Sequence, residues 1–265
     1  MADQNQPMEA GTDKAQLVQD AVMYKVSDHD YWQLPGLQLD LSPLHMTSHG
    51  LMLILAGLFL ALIFGLFYRK KSLIPKGFTN LLEVLVLFVR DQIVIPNLGE
   101  KDGRKMAPLF LSFFFFILLL NLMGLIPVFS GATGNVNVTA GLALVTLTVM
   151  IGGAIIKNGP SGFVGAFVPH GVPWPVLIIL VPIEFMGMFI KAFALTMRLF
   201  ANMFAGSIVV YSIIGLLLIF GYAGLPALAL AIAIYMLKVF VAFLQAFVFT
   251  LLSALFINQI HHPAH

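Results

Sequence analysis

The feature that most constrains this chain is the length of its uncharged apolar stretches. Residues 106–156 contain no ionisable side chain. Charged residues make up about a quarter of a soluble domain, whereas they are 10% of this chain, whose mean hydropathy is +0.96. A helix needs about 20 apolar residues to cross a bilayer, so this stretch is long enough for two spans. We therefore predict an all-α membrane protein that crosses the bilayer several times.

Charge is distributed unevenly and predicts the orientation. Residues 50–68 form the first apolar stretch, which ends at Arg69, Lys70 and Lys71. Because basic residues collect on the cytoplasmic side, we expect this helix to run inwards. The acidic residues 1–46 would then form an outer-face tail, in which neither a signal peptide nor a transit peptide is recognisable. Residues 261–265 would form a cytoplasmic tail.

Residues 47–260 are predicted to form a single transmembrane domain of about five spanning helices and one in-plane amphipathic helix. Glu83, Arg90 and Asp91 interrupt the apolar pattern of residues 78–95, which favours a helix that lies in the membrane interface. A charged loop is expected over 97–105. Each of the last two apolar stretches is about twice the length of a span. Each stretch is either one long tilted helix or a spanning helix followed by an interfacial one. We favour the long tilted helices, which would form an antiparallel hairpin. The predicted bounds are about 49–68, 78–95 (in-plane), 107–129, 138–156, 174–213 and 226–258.

Three ionisable residues lie seven positions apart in the first helix of this hairpin. They are Glu184, Lys191 and Arg198. At about 100° per residue, seven steps change the direction by only about 20°, so the three share one helix face. Asn202 lies one turn further along. Small residues, which allow another helix to approach closely, occupy the same region: Gly187, Ala194, Ala201 and Ala205.

Pairing the last two helices antiparallel about Tyr222 predicts which polar residues lie level with one another. Arg198 falls level with Gln245, and Ser207 falls level with Lys238. Lys238 and Gln245 are themselves seven residues apart and share a face. The hairpin therefore predicts a compact polar layer from residues that are distant in sequence.

Arg198 is the strongest candidate for function, because a charge near mid-membrane costs about 2.5–3.5 kcal/mol and marks ion pathways. The alternative is that Arg198 only holds two helices together through Gln245. Glu184 is a candidate proton relay, a partner of Lys191, or a side chain that reaches the headgroups. For Lys191 too, the alternative to a functional role is a side chain that extends to the lipid headgroups. For Asn202 and Gln245, the alternative is a plain interhelical hydrogen bond.

The sequence lacks the residues that several other kinds of functional site require. The chain has no cysteine, which excludes disulfides, thiolate metal sites and iron–sulfur ligation. No histidine lies in the interior of a predicted span, because six lie outside the spans and His49 stands at the first residue of one, so a haem between helices is not expected. No phosphate-binding glycine motif, nucleophile triad or basic patch for nucleic acid is present. We predict no cofactor, no metal and no catalytic site within this chain.

Several motifs resemble those of subunit a of the F-type ATP synthase. The segment Leu195-Thr-Met-Arg198-Leu-Phe-Ala-Asn202-Met-Phe-Ala-Gly206, preceded by Pro182-Ile-Glu184, is similar to the arginine motif of that family. Leu244-Gln245-Ala-Phe247-Val-Phe249 is similar to its last-helix glutamine motif. Two shorter segments also resemble the family: Asn121-Leu-Met-Gly-Leu-Ile-Pro127 and Asn135-Val-Asn-Val-Thr139. The resemblance covers about residues 45–260.

The resemblance implies a proton-translocating stator subunit that forms two aqueous half-channels against a rotating ring of subunit c. Arg198 would separate the half-channels and make the ring carboxylate release its ion. Gln245 and Asn202 would line the region around the arginine, and Glu184 would lie in the inner half-channel. The implied partners are the c ring, the peripheral-stalk subunit b, the rest of the synthase and membrane lipid. The implied location is the inner membrane of a bacterium.

The chain departs from the family where the outer half-channel admits the ion. Members of the family usually place a carboxylate or a histidine at one of the positions that match Ser207 and Lys238. We expect Lys238 to tune the outer half-channel without being an obligatory relay. Coupling to sodium instead of protons stays open, because the ion-binding carboxylate belongs to subunit c. An alternative function is a secondary transporter with a midplane site of Glu184 and Arg198.

Overall fold

The computed structural model describes residues 27–34, 37–67, 77–126, 128–165, 167–168, 173–221 and 225–261, with residues 16, 19–20 and 23. Helices dominate these residues. Two short π-helical segments, Ile63–Phe67 and Val89–Val94, extend α1 and join α2 to α3. The helices are α1 (Ser48–Leu62), α2 (Phe78–Phe88), α3 (Ile95–Leu125), α4 (Val136–Gly165), α5 (Trp174–Phe220) and α6 (Leu225–His261).

Five helical stretches in the described part of the chain are long and apolar enough to cross a membrane. They correspond to α1, the continuous run from α2 to α3, α4, α5 and α6. The prediction of an all-α membrane protein with about five spanning helices is confirmed. The stretches are Ser48–Gly65, Phe78–Leu125, Val136–Phe163, Trp174–Leu217 and Leu225–Ile260.

Parts of the chain that were expected to connect the spans are helical. The charged residues 97–105 continue α3, interrupted only at Gly99, whose φ of 76° lies in the left-handed region that favours glycine. Helix α4, whose predicted span ends near 156, continues to Gly165 with a similar interruption at Gly159 (φ 73°), so it occupies part of the chain expected to connect the spans 138–156 and 174–213. Helix α5 is continuous to Phe220, beyond the predicted end near 213. The basic cluster at 69–71 and the turn at Tyr222 lie outside the described residues.

A β-hairpin precedes α1 and was not predicted from the sequence. Strands β1 (Tyr31–Leu34) and β2 (Leu37–Asp40) pair antiparallel, with Tyr31 opposite Asp40. The indole N–H of Trp32 donates to the carbonyl oxygen of Val128 at 2.8 Å, and its ring stacks on Phe129. The hairpin is thereby attached to the loop between α3 and α4.

The chain forms two compact units. Unit 1 comprises Met1–Leu55, Leu119–Asn135 and Phe200–Leu244; unit 2 comprises Ala56–Leu118, Val136–Leu199 and Gln245–His265. The core of unit 2 is built from large buried side chains, among them Phe110, Phe114, Ile117, Met150, Leu195 and Phe249. Buried residues of unit 1 include Met52, Leu120, Met123 and Met203. Helices α5 and α6 each contribute residues to both units.

Helices α5 and α6 are much less covered by their own chain than the other long helices. In the most apolar stretch of 18 residues, 6% of α5 and 11% of α6 are buried, against 44% for Phe78–Leu125. Apolar helices in lipid can expose such faces to lipid tails or bind another helix through them. Most of the surface of this hairpin is therefore available to lipid or to another membrane subunit.

Candidate functional site

In unit 2, two of the three ionisable residues on the polar stripe of α5 face away from the core of the chain. Two nearby leucines of α5, Leu195 and Leu199, are buried, with exposed fractions of 2% and 0%. Arg198 and Glu184 are both exposed. The ion pairs that join described residues do not include Arg198 or Glu184. The helix thus presents a cation and a carboxylate on its outward side.

Small residues accompany Arg198 along the exposed side of α5. Ala201 and Ala205 are exposed, and Gly187 has no atom within 4 Å of the position a Cβ would take. A large side chain at these positions would separate α5 from an approaching helix. Small side chains instead allow close approach of a second backbone.

Lys191 differs from its two neighbours on the stripe, because it is held by α6. Its Nζ donates to Oε1 of Gln259 at 2.6 Å and lies 5.5 Å from the centre of the Phe256 ring. The described ion pairs show no bond between Lys191 and Glu184, the partner that the sequence left open. Lys191 is therefore satisfied within unit 2.

Gln245 also belongs to unit 2, and its side chain is turned towards the interior. The residue is 5% exposed, whereas Arg198 is exposed. No hydrogen bond between Gln245 and Arg198 is present among the described residues. The alternative in which Arg198 only binds two helices through Gln245 therefore gains no support from the geometry.

In unit 1, the structure brings together Ser207 and Lys238, as the antiparallel pairing predicts. Nζ of Lys238 donates to Oγ of Ser207 at 3.4 Å, and this hydroxyl donates to the carbonyl oxygen of Met203 at 2.9 Å. Ser207 is 7% exposed. The stem of Lys238 lies against Gly206, where a Cβ would come within 3.2 Å of the lysine Cε. The absence of a side chain at Gly206 makes room for this lysine.

Further polar contacts in unit 1 were not predicted from the sequence. Nδ2 of Asn121 donates to the carbonyl oxygen of Ala242 at 3.4 Å, and Asn121 is 3% exposed. The hydroxyl of Tyr235 donates to the carbonyl oxygen of Leu125 at 2.8 Å. Asn202 is half-buried. A single polar residue inside a long apolar run was the available signal for Asn121 and Tyr235.

A second polar cluster in unit 1 joins the segment before β1 to the first turn of α1. Oδ1 of Asp28 accepts hydrogen bonds from the Ser48 hydroxyl at 3.1 Å and the His49 backbone N–H at 3.2 Å. Nδ1 of His49 lies 3.2 Å from the same oxygen and 3.1 Å from Nδ2 of Asn135. Sequence reasoning placed none of these residues in a site.

The charge of Asp28 is stabilised by its neighbours. Partial burial acts to raise the pKa of Asp28, but the backbone N–H and the ring of His49 lower it. The hydroxyls of Thr47 and Ser48 act in the same direction, so the pKa of Asp28 lies below its ordinary value of 3.8. Asp28 is therefore ionised at neutral pH.

Metal binding has no obvious place in the described part of the chain. No group of three or more histidine, aspartate, glutamate or cysteine side chains that could hold a metal ion occurs there. The polar groups above are instead suited to hydrogen bonding and to proton transfer.

Comparison with known proteins gives consistent matches. The family model for the ATP synthase A chain matches residues 50–258. An ATP synthase subunit a from an Anaeromyxobacter species is 43% identical over 232 residues, which cover 85% of this chain and 56% of that protein. The ATP synthase subunit a of Myxococcus xanthus is 43% identical over 243 residues, covering 88% and 80%. That of Chloroherpeton thalassium is 43% identical over 263 residues, covering 93% and 78%.

These matches include the helices that carry the candidate residues. The chain spans little more than half the length of the Anaeromyxobacter relative. The matched region begins in α1 and ends in α6, so it contains both the stripe on α5 and the Ser207–Lys238 pair. On the extent of the family match and the identity to these relatives, the chain belongs to the ATP synthase A chain family.

Proposed function

We propose that this chain is the proton-translocating stator subunit of a bacterial F-type ATP synthase. It forms two aqueous half-channels against a rotating ring of subunit c, and Arg198 separates the two. It contributes no catalytic site, because ATP is made in another part of the complex. It contacts the c ring, the peripheral-stalk subunit b and lipid. Its N-terminus lies outside and its C-terminus in the cytoplasm.

The observation that carries this proposal is the exposed guanidinium of Arg198 on a helix face that carries small residues. Placing a charge near the bilayer centre costs about 2.5–3.5 kcal/mol on insertion scales. Arg198 is exposed and takes part in none of the described ion pairs. A carboxylate supplied by a second subunit would offset this cost, and the small residues beside Arg198 would let that subunit pass.

A fixed cation explains both ion release and the separation of the half-channels. A nearby positive charge favours the ionised form of a carboxylic acid, so a protonated ring carboxyl that approaches Arg198 releases its proton. The same charge repels a proton that would otherwise cross directly between the half-channels. Each charge moved across the membrane yields about 2.3 kcal/mol per 100 mV, and several such transfers drive one ATP.

We assign one half-channel to each unit of the chain. The half-channel of unit 1 includes Ser207 and Lys238, with Lys238 adjusting the local field without being an obligatory relay. The half-channel of unit 2 includes Glu184, which is exposed, and Lys191. Gln245 and Asn202 position the surroundings of Arg198.

The alternative of a secondary transporter is less well supported. It requires Glu184 and Arg198 to form one midplane site. The two residues are separated by fourteen positions on the continuous helix α5, which corresponds to about 21 Å at 1.5 Å per residue. A single bound solute of ordinary size would not contact both side chains.

The proposal is tested by ATP-driven proton uptake in inverted membrane vesicles that carry the assembled complex. Arg198→Ala should abolish uptake, whereas Arg104→Ala, which removes an exposed cation paired with Glu100, should leave it unchanged. Repeating the assay with and without sodium identifies the transported ion. Normal proton uptake by Arg198→Ala, or solute-dependent transport by the isolated chain, would refute the proposal.

A further inference from the structure

The polar cluster around His49 has the geometry of a site that exchanges protons with water. Nδ1 of His49 lies between a hydrogen-bond acceptor, Oδ1 of Asp28 at 3.2 Å, and a donor, Nδ2 of Asn135 at 3.1 Å. A protonated Nδ1 can donate to the carboxylate, and a bare Nδ1 can accept from the amide. The same ring atom is therefore satisfied in both protonation states.

Asn135 can follow the change of protonation without moving far. Its Nδ2 also lies 3.4 Å from Oδ2 of Asp28. When Nδ1 of His49 carries a proton, the amide can donate to the carboxylate instead of the ring. Oδ2 of Asp28 accepts in either state and Nδ1 of His49 accepts when it carries no proton, so the amide nitrogen of Asn135 always faces an acceptor.

The cluster also connects a partly solvent-exposed carboxylate, that of Asp28, to a buried imidazole, that of His49. The side chain of Asp28 is 28% exposed, whereas that of His49 is 2% exposed and its Nε2 is buried. Among the described residues, the titratable group that contacts Asp28 is the ring of His49, and Asn135 and Ser48 are neutral. A proton taken up from water by the carboxylate therefore has the imidazole as its neighbouring acceptor.

The segment that carries Asp28 is fixed in place by backbone hydrogen bonds. The Ser48 N–H donates to the carbonyl oxygen of His29 at 2.7 Å, and the Leu41 N–H donates to that of Asp30 at 2.8 Å. The Trp32 indole anchors the following hairpin to Val128. Asp28 is thus positioned against α1 by structure on both sides of it.

We propose that Asp28, His49 and Asn135 form the proton-exchange site through which water loads the half-channel of unit 1. A hydronium ion transfers its proton to Oδ1 of Asp28, which passes it to Nδ1 of His49. The imidazole then releases the proton on Nε2 to a water molecule of the half-channel, which leaves the proton on Nδ1. Rotation of the ring brings Nδ1 to the same water, which takes the Nδ1 proton and returns one to Nε2, so that the first tautomer is restored. One proton enters and one leaves in each cycle.

This proposal rests on the proposed function of the chain and supplies what unit 1 otherwise lacks. The pair of Ser207 and Lys238 offers a hydroxyl and an amine, neither of which resembles the carboxylate or imidazole that commonly moves protons near neutral pH. Asp28 and His49 provide both of these groups. They come from the segment before β1 and from α1 instead of the last two helices.

The test uses the assembled synthase in proteoliposomes and measures ATP-driven proton uptake against pH, per assembled complex. His49→Gln keeps a hydrogen-bonding side chain but cannot relay a proton, so we expect at least about a tenfold loss and a flattened pH profile. Asp28→Asn keeps the acceptor oxygen that meets Ser48 and the His49 N–H, and should lower uptake several-fold. Matched controls are His45→Gln and Asp30→Asn, which change exposed residues nearby and should match the wild type.

The outcomes separate this inference from the proposed function. If Arg198→Ala abolishes uptake while His49→Gln and Asp28→Asn stay within twofold of the wild type with an unchanged pH profile, the exchange site is refuted and the stator role stands. If Arg198→Ala retains uptake, the stator role itself fails. Asp28→Asn decides the matter should His49→Gln fail to assemble, because it keeps an acceptor oxygen for the Ser48 hydroxyl and the His49 N–H.

Discussion

Arg198 and Lys238 are both cations on the long hairpin of α5 and α6, yet the chain treats them differently. Lys238, in unit 1, is half-buried, lies against Gly206 and donates to Ser207. Arg198, in unit 2, is exposed and belongs to none of the described ion pairs. A cation that forms hydrogen bonds within its own chain, such as Lys238, can stabilise the fold or adjust the local electrostatic field. An exposed cation that takes part in no described ion pair, such as Arg198, requires a negatively charged partner from another subunit.

The largest effect is expected from removing the open cation. Arg198→Ala should reduce ATP synthesis driven by an imposed proton gradient by at least about a hundredfold, because the ring carboxyl no longer meets a charge that favours release. It should also raise the passive proton leak, since nothing then separates the half-channels. Proteoliposomes with a pH-sensitive dye measure both quantities. Unchanged synthesis would mean that the two cations do not differ in function.

A smaller effect is expected from removing the satisfied cation. Lys238→Met keeps the apolar stem that lies on Gly206 but loses the charge and the hydrogen bond to Ser207. We expect a few-fold reduction in proton pumping, and Ser207→Ala should have a similar or smaller effect. Abolition of pumping by Lys238→Met, as complete as that by Arg198→Ala, would make Lys238 an obligatory relay and reverse the comparison.

Packing in the two units offers a third test of their difference. In unit 1, a Cβ on Gly124 would lie 2.1 Å from Cε of Met203 and 3.3 Å from Cα of Gly131. Gly124→Ala should therefore destabilise the chain by about 1–3 kcal/mol through overpacking. In unit 2, Gly141 of α4 has no atom within 4 Å of its Cβ position, so Gly141→Ala should stabilise by about 0.5–1 kcal/mol.

Thermal denaturation of the purified complex, followed by loss of the monodisperse form in size-exclusion chromatography, compares the two glycine variants. The expected order of stability is Gly141→Ala, wild type, then Gly124→Ala. The same stability for both variants would show that unit 1 is not packed closely around Met203.

The smallest effect is expected at acidic pH, where the attachment of the segment that carries Asp28 to the first turn of α1 should weaken. The pKa of Asp28 is lowered in the folded chain, so its contribution to stability is present above the ordinary pKa of 3.8 and is lost as the pH falls below it. In a Trp174→Phe background, Trp32 is the only tryptophan of the chain. Its emission should shift to the red on acidification.

Asp28→Asn is the variant that checks this attribution. It removes the titrating group, so the acid-dependent part of the Trp32 shift should disappear and the attachment should be weaker at neutral pH. Asp30→Asn, which changes an exposed carboxylate two residues away, should titrate like the parent protein. Identical titrations for both variants would assign the shift to another group.

The long helices and the pair of Ser207 and Lys238 could be predicted because they follow from periodicity. Apolar length defines a span, and an antiparallel hairpin fixes which positions are level. The hydrogen bond of 3.4 Å between Lys238 and Ser207 agrees with that register. Arg198 could likewise be singled out, since a charge in an apolar helix needs a reason to be there.

Other features depend on contacts between residues that no periodic pattern connects. Asp28 meets His49 and Asn135 across 21 and 107 positions of the chain, and the segment that carries it is polar throughout. The helical residues 97–105 look like a loop because they are charged. Their structure includes the bond of Arg104 to Glu100 at 2.7 Å and that of Lys157 to Asp102 at 2.5 Å, the second of which no local rule predicts.

The central claim is that the exposed face of α5 around Arg198 contacts the ring of subunit c. The chain has no native cysteine, so single cysteines can be placed at Ala201 or Ala205 on this face and at Leu144 on α4, all of which are exposed. Each is combined with a cysteine beside the ring carboxylate and oxidised in the membrane. We predict cross-links to subunit c from positions 201 and 205 and none from 144. Cross-linking from 144 alone would contradict the account.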